Sequence, residues 1–452
     1  MLHMMKSMTE GSPLRLILQF SLPLLAGNLF QQTYNMVDAA IVGQTLGALA
    51  LAGVGASSSV QFLVMGFCIG TAIGFTIPVA QCFGAEDYRG MRSYIFHAGV
   101  WCLAFATVLT TLTALLCPQI LRLLQTPGDI FGDAYRYLLI IFLGIPFTLL
   151  YNLLSGMLRA VGDSRTPFFF LALSAILNIG LDVFCIMVLH WGVAGAAFAT
   201  VVSQAISGIL CLVLIHRRFD ILHLRREDRV WDGHRAANTL RMGVPMGLQY
   251  SITAIGSMVM QSANNGLGTV YVSAFTAGMK IKQLTMCPFD ALATAVSTFA
   301  GQNYGAGRTD RIRKGLGIGL AIAALYGLFA GVVMGVFGRT MSMLFVPASE
   351  SAVLDASGLY LRRLGYFYWT LGLLGVARMC TQGLGCSGRA MVSGAVEMVA
   401  RILVSVLLVP VFAYDAITFG DQSAWVSACL YIVPMCFAVV RRLPGKGSGA
   451  ER

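Results

Sequence analysis

Two aspartates stand inside stretches that are otherwise free of charge, Asp38 in QQTYNMVDAAIVG and Asp182 in LSAILNIGLDVFCI. A carboxylate at membrane depth costs ~2.5–3.5 kcal/mol at a helix centre even on the mildest insertion scale, so such a group faces a bundle interior or water and marks an ion or proton path. Asn178 lies four residues before Asp182, on the same face of one helix. Counting from a helix start near Thr166, Asp182 lies ~24 Å along its axis at 1.5 Å per residue. Asp38 comes late in the first apolar segment, and Thr200 falls about seven residues into the sixth. The spacing predicts two carboxylates, an amide and a hydroxyl at one level in the outer half of a bilayer. All-oxygen chemistry suits a hard cation such as Na+. The same acids, drawn out of water and near each other, can hold a proton instead. Plainer readings stand beside these: Asp38 wetted at a helix end, Asp182 bonded to a neighbouring helix, Thr200 as packing.

Composition sets the elements that must carry these groups. The chain of 452 residues is 57% hydrophobic and 11% charged, whereas a soluble domain carries about 25% charged residues. Uncharged runs of spanning length recur from Ala39–Ala85 to Gln422–Val440, and one crossing needs ~20 residues. The fold class is all-α integral membrane, with twelve transmembrane helices expected near 14–39, 48–77, 91–117, 131–157, 166–189, 193–216, 237–264, 271–298, 312–338, 355–381, 389–412 and 422–441. Cations gather in alternate gaps, at Arg89 and Arg92, Arg159 and Arg165, Arg217 through Arg241, Arg308 through Lys314, Arg389, and Arg441 through Lys446. By the positive-inside rule both termini and the central loop are cytoplasmic, in a multi-pass protein of the cytoplasmic (inner) membrane. The net charge of +11 is thereby spent on topology, which argues against nucleic acid as a partner. The eleven cysteines show no ligand spacing and read as small packing residues.

The halves repeat at an offset near 222 residues: Pro23 matches Pro245, Gln81-Cys-Phe-Gly84 matches Gln302-Asn-Tyr-Gly305, and Gly162 matches Gly385. Six spans per half is an even number, so the repeats are parallel, with a pseudo-two-fold axis along the membrane normal. This predicts an amino-terminal six-helix lobe over 1–218, a solvated cytoplasmic loop over 219–236 and a carboxy-terminal six-helix lobe over 237–452. Glycines four apart, Gly66, Gly70 and Gly74 and again Gly327, Gly331 and Gly335, suit close packing inside each lobe rather than a dimer contact, consistent with a monomer.

The second half does not repeat the acids. Across the offset, Met260 stands for Asp38, Arg401 for Asn178 and Ser405 for Asp182. It has its own charges: Lys280, Lys282 and Asp290 in one segment, Glu397 and Arg401 in another. Glu397 and Arg401 are an i,i+4 pair with a structural reading. Lys280 and Lys282 point to different faces, one toward a cleft and the other toward Asp290. Tyr34, Asn35, Met36, Tyr137, Tyr151, Asn152, Phe275, Met279 and Lys280 are candidates to line an adaptable substrate cleft for flat, cationic amphiphilic molecules. Each is also ordinary packing on a plainer reading.

Together, Pro23, the run Gln31 to Asp38, Val42-Gly43, Gln81 to Ala85, Gly156 to Ser164, Leu177-Asn178 with Asp182, and Gly301 to Gly307 resemble the multidrug and toxic compound extrusion (MATE) family, nearest to its prokaryotic DinF-like branch. The resemblance implies an antiporter that exports organic cations, drugs or toxic metabolites in exchange for H+ or Na+. It also implies that Asp38, Asn178, Asp182 and Thr200 form a cation site in the amino-terminal lobe. No cofactor is expected beyond the coupling ion. The alternative is a flippase for lipid-linked oligosaccharide or polysaccharide precursors from the wider superfamily, which predicts a strongly cationic cleft. No HExxH or GxSxG motif supports an enzyme.

Overall fold

The structure, a computed structural model, describes residues 7–124 and 126–443. Lys446, one of the orienting cations, lies outside them, as do the two chain ends. Among the described residues all regular structure is helical. The first half contains α1 (Pro13–Leu46), α2 (Ala48–Phe75), α3 (Ile77–Gly84), α4 (Tyr88–Leu123), α5 (Gly128–Leu143), α6 (Ile145–Ala160), α7 (Arg165–Asp182) and α8 (Val193–Arg218). The second contains α9 (Gly233–Asn265), α10 (Thr269–Gly305), α11 (Thr309–Ser342), α12 (Ser351–Gly383), α13 (Ser387–Leu403), α14 (Val409–Phe412) and α15 (Tyr414–Arg441). Among the described residues eight stretches are long and apolar enough to cross a membrane, and α5 with α6 makes a ninth if read as one span bent by 45°. Helices α9, α10 and α12 have 33, 37 and 33 residues and carry more polar groups.

Local chemistry explains where these helices break. The expected helix over 131–157 is divided at Gly144 because Pro146, in the first turn of α6, has no N–H for the bond back to Phe142. Pro78 separates α3 from α2 in the same way. The start of α7 is built by Gly162, at φ +85°, and by Asp163, whose Oδ1 accepts from the N–H groups of Arg165 (2.9 Å) and Thr166 (3.0 Å). Both α7 and α13 end in a π-helical turn, Val183–Val188 and Val404–Leu408, at matching places in the two halves.

The chain forms two compact units. One holds Ala26–Gly247, the other Met8–Leu25 together with the chain from Leu248 onward. The first stretches of α1 and α9 are therefore exchanged, and each break falls two residues beyond a proline, Pro23 and Pro245. In the first unit α2 meets α9 so closely that a Cβ on Gly74 would lie 2.6 Å from the Gly243 Cα. In the second unit Gly327 abuts the Trp369 backbone and Gly331 that of Gly365, as the glycine spacing predicts, whereas Gly335 faces open space.

The loop expected to be solvated is instead docked on α4 in the first unit. Arg92 Nε donates to the buried Asp228 (2.7 Å), the Asp232 N–H to His97 Nε2 (3.0 Å) and Trp101 Nε1 to the Ala236 carbonyl (3.1 Å). Its counterpart in the second unit is the segment before α1. The Met8 N–H donates to Gln302 Oε1 (2.8 Å), Asn303 Nδ2 donates to the Met8 carbonyl (3.1 Å), and Arg311 donates to the carbonyls of Met8 (3.1 Å) and Gly11 (2.8 Å). The repeated Gln-x-x-Gly sequence thus has a visible task in the second half: it grips the peptide that leads into α1.

Candidate functional site

Three helices of the first unit bring the expected oxygen donors together. Helix α7 packs along α8, which sets Asn178 against Thr200. With the Asn178 amide turned so that its nitrogen faces the carboxylate, Nδ2 donates to Asp182 Oδ2 (3.2 Å) and the amide oxygen accepts from the Thr200 hydroxyl (3.2 Å). The opposite setting would aim two oxygens at each other. Asp182 is fully buried and Asn178 nearly so. Asp38, on α1, is half-buried, and its carboxyl is close enough to that of Asp182 to share a hydrogen bond. Helix α1 continues past Asp38 to Leu46, so the acid does not cap a helix end.

Two carboxylates in contact away from water cannot both remain ionised unless something positive lies between them. One oxygen of each acid, Asp38 Oδ1 and Asp182 Oδ1, is buried without a hydrogen-bond partner among the described residues. The pair can therefore hold a shared proton, or accept a hard cation whose remaining ligands are the Asn178 amide and the Thr200 hydroxyl. Regular α-structure gives way to the π turn directly after Asp182, and π turns recur at functional positions because they re-aim side chains.

The cleft candidates divide. Tyr34 and Tyr137 stand beside both acids, hydrogen-bonded to Gln31 and Gln61 respectively. Asn35 is exposed and Met36 half-buried on the same helix. Asn152 is satisfied within its own helix by the Thr148 carbonyl (2.8 Å), and Tyr151 donates to the Pro167 carbonyl (3.4 Å). In the second unit Phe275 is core packing against Tyr360 (ring centroids 5.2 Å apart), and Met279 Sδ accepts from the Tyr360 hydroxyl (3.6 Å). Lys280 is half-buried and makes no ion pair among the described residues.

The expected pairing of one of the two lysines with Asp290 is corrected. Lys282 Nζ bonds Asp421 Oδ2 at 2.6 Å, with the Trp425 ring 5.8 Å away, and Asp290 is exposed. Asp421 also accepts from Arg401 (3.1 Å) and the Tyr360 hydroxyl (2.9 Å). Glu397 does meet Arg401 (3.4 Å) but is held more closely by Arg378. Three cations and two carboxylates thus share one buried network across α10, α12, α13 and α15. The sequence reading missed Arg378 and Asp421. The signal was a charge one residue before the last uncharged run, with which the expected helix begins at 422; α15 begins eight residues before that, at Tyr414.

The MatE family model matches this chain twice, over residues 23–184 and 245–407, the two copies opening at Pro23 and Pro245. The probable multidrug resistance protein YpnP of Bacillus subtilis is 32% identical over 376 residues, covering 81% of either chain. The DNA damage-inducible protein F of Escherichia coli is 26% identical over 292 residues, 63% of this chain and 62% of that one. A solved structure titled as the outward-facing conformation of a multidrug resistance MATE family transporter of the MOP superfamily superposes with a TM-score of 0.91 at 21% identity, covering 97% of this chain and 98% of that one. With its all-helical fold and a family match spanning both halves, this chain is a membrane transporter rather than an enzyme, and it belongs to the MatE (multidrug and toxic compound extrusion) family.

Proposed function

We propose that this protein is a secondary antiporter of the cytoplasmic membrane that exports small organic, cationic amphiphilic compounds in exchange for H+ or Na+. Asp38, Asn178, Asp182 and Thr200 form its coupling site. The observation that carries the reading is the contact between the Asp38 and Asp182 carboxyls, each with a buried and unpartnered oxygen. Such a pair changes charge when a proton or cation enters, which alternating access must sense. Multidrug relatives such as YpnP support the substrate class. Twelve spans in two six-helix lobes, with both termini cytoplasmic and a monomer as the working unit, complete the proposal; α9, α10, α12 and the α5–α6 pair are read as spans alongside the eight apolar stretches. Binding at the acids is transmitted by bending of α1 near Pro23, where its two stretches part company.

The test is ethidium efflux from cells making Asp38→Asn or Asp182→Asn protein at native levels. Both variants should lose drug efflux, and proteoliposomes given a pH gradient alone and then a sodium gradient alone should identify the ion. Wild-type efflux in both variants would remove the coupling site.

A further inference from the structure

The second unit carries a groove that the transport reading does not use. It has a volume of about 260 Å³ and is lined by Arg313, Leu316, Phe437, Val440 and Arg441. Its floor is apolar and closed, with Leu316 and Val440 each 2% exposed, while Phe437 stands 42% exposed beside it. Arg313 and Arg441, both exposed, complete its lining. Arg313 lies in the second turn of α11 and Arg441 is the last residue of α15, so both sit near the ends of these long apolar helices. Lys314 and Arg442 adjoin them, and none of the four makes an ion pair among the described residues. The one acid close in sequence, Asp310, lies three residues before Arg313 and is exposed without an ion pair.

Two unpaired arginines over an apolar floor at headgroup level are a recognisable chemistry. A guanidinium binds a phosphate oxygen pair in a planar fork. Basic residues at the membrane surface attract anionic lipids. The α11 amino terminus adds its partial positive charge, whereas at Arg441 the α15 carboxy terminus opposes it. A free anion would leave the apolar floor and Phe437 uncovered; a neutral lipid would leave two cations without a counter-charge. We infer that this groove is a binding site for an anionic phospholipid, its phosphodiester held between Arg313 and Arg441 and one acyl chain laid along Leu316, Phe437 and Val440.

The test is native mass spectrometry of the full-length protein released from micelles. The micelles are supplied in turn with phosphatidylglycerol, with phosphatidylcholine of the same chains, or with inorganic phosphate. The wild type should retain one phosphatidylglycerol. Arg313→Gln with Arg441→Gln should bind it about thirtyfold more weakly, equivalent to ~2 kcal/mol, while Arg313→Lys with Arg441→Lys keeps most of the retention. Phe437→Ala should weaken retention of the lipid without changing any response to phosphate. Equal retention of phosphatidylcholine, or of phosphatidylglycerol by the double glutamine variant, would overturn the site. Displacement of the lipid by inorganic phosphate at equal concentration would assign the arginines to a free anion. Loss of a dimer mass in the glutamine variant would assign the groove to a second copy. Ethidium efflux separates this site from the coupling proposal, because the glutamine variant leaves Asp38 and Asp182 in place.

Discussion

Asp421→Asn and Lys282→Met should affect stability unequally, although each removes one end of the same 2.6 Å ion pair. At an effective dielectric constant of ~20, charges at that distance attract by about 6 kcal/mol, and the Arg401 contact at 3.1 Å adds about 5. Burying the ions offsets much of this gain, so the net contribution of either pair is smaller. The asymmetry lies in what remains. The network holds Lys282, Arg378 and Arg401 against Glu397 and Asp421, an excess of one positive charge. Lys282→Met leaves two arginines facing two carboxylates and replaces an alkyl stem with another of similar shape. It loses one charged hydrogen bond but relieves the excess, for a cost below ~2 kcal/mol. Asp421→Asn leaves three cations on a single carboxylate and should cost ~3–5 kcal/mol, as when a buried pair loses one member.

For a unit of about 200 residues each kcal/mol moves Tm by ~2–4 °C. Thermal melting of purified protein in detergent should then show Asp421→Asn lower by roughly 6–20 °C, and Lys282→Met lower by no more than about half as much. If Lys282→Met melts at or below Asp421→Asn, the excess-charge account is wrong, and Lys282 rather than Asp421 is the group the network is built around.

Other expectations can be checked on the same preparations. Arg311→Ala removes the donors to the Met8 and Gly11 carbonyls, so trypsin should cleave at Arg15 about tenfold faster, the effect of ~1.4 kcal/mol of lost hydrogen bonding; an unchanged rate would show that the grip on this segment lies elsewhere. Gly327→Ala should lower stability by ~1–3 kcal/mol because its Cβ collides with the Trp369 backbone, whereas Gly335→Ala, in open space, should gain ~0.5–1 kcal/mol from helix propensity; equal melting points would discount the packing role. Burial pushes the Asp228 carboxyl up, but the Arg225 N–H and the Arg92 guanidinium outweigh it and hold the group below the usual carboxylate range. A depressed value means that the stabilisation is complete above the unfolded value near ~3.9 and is lost as pH falls through the folded one. Docking of the loop, followed by the fluorescence of Trp101 and Trp231, which lie 5.9 Å apart, should therefore loosen in acid below that range in the wild type. In Asp228→Asn it should be looser at neutral pH and lack this acid step, and a matching acid step in the variant would exclude Asp228 as its source.

What could be read from the sequence, and what could not, follows from how charge was used. Asn178 and Asp182 were legible because helical spacing is local, and Thr200 because depth along neighbouring helices is nearly fixed by residue count. The structure joins all three through the Asn178 amide. The proline break at Gly144 is written in the chain, yet apolar length alone overrides it, whereas the break at Thr76 falls beside the expected end of the second helix. The second-unit network stayed hidden for a different reason. Membrane spans are found by the absence of charge, so a charge that is compensated by a residue 139 positions away is taken for the end of the span. Asp421 reads as a boundary for that reason, and Asp290, the nearest acid in sequence to the two lysines, stands in for the acid that Lys282 meets in space. Among the described residues the first unit places two acids together with no cation paired to them, and the second surrounds its acids with an excess of cations. On the proposed function it is the first arrangement, short of a positive charge among the described residues, at which an arriving proton or sodium ion is expected to act.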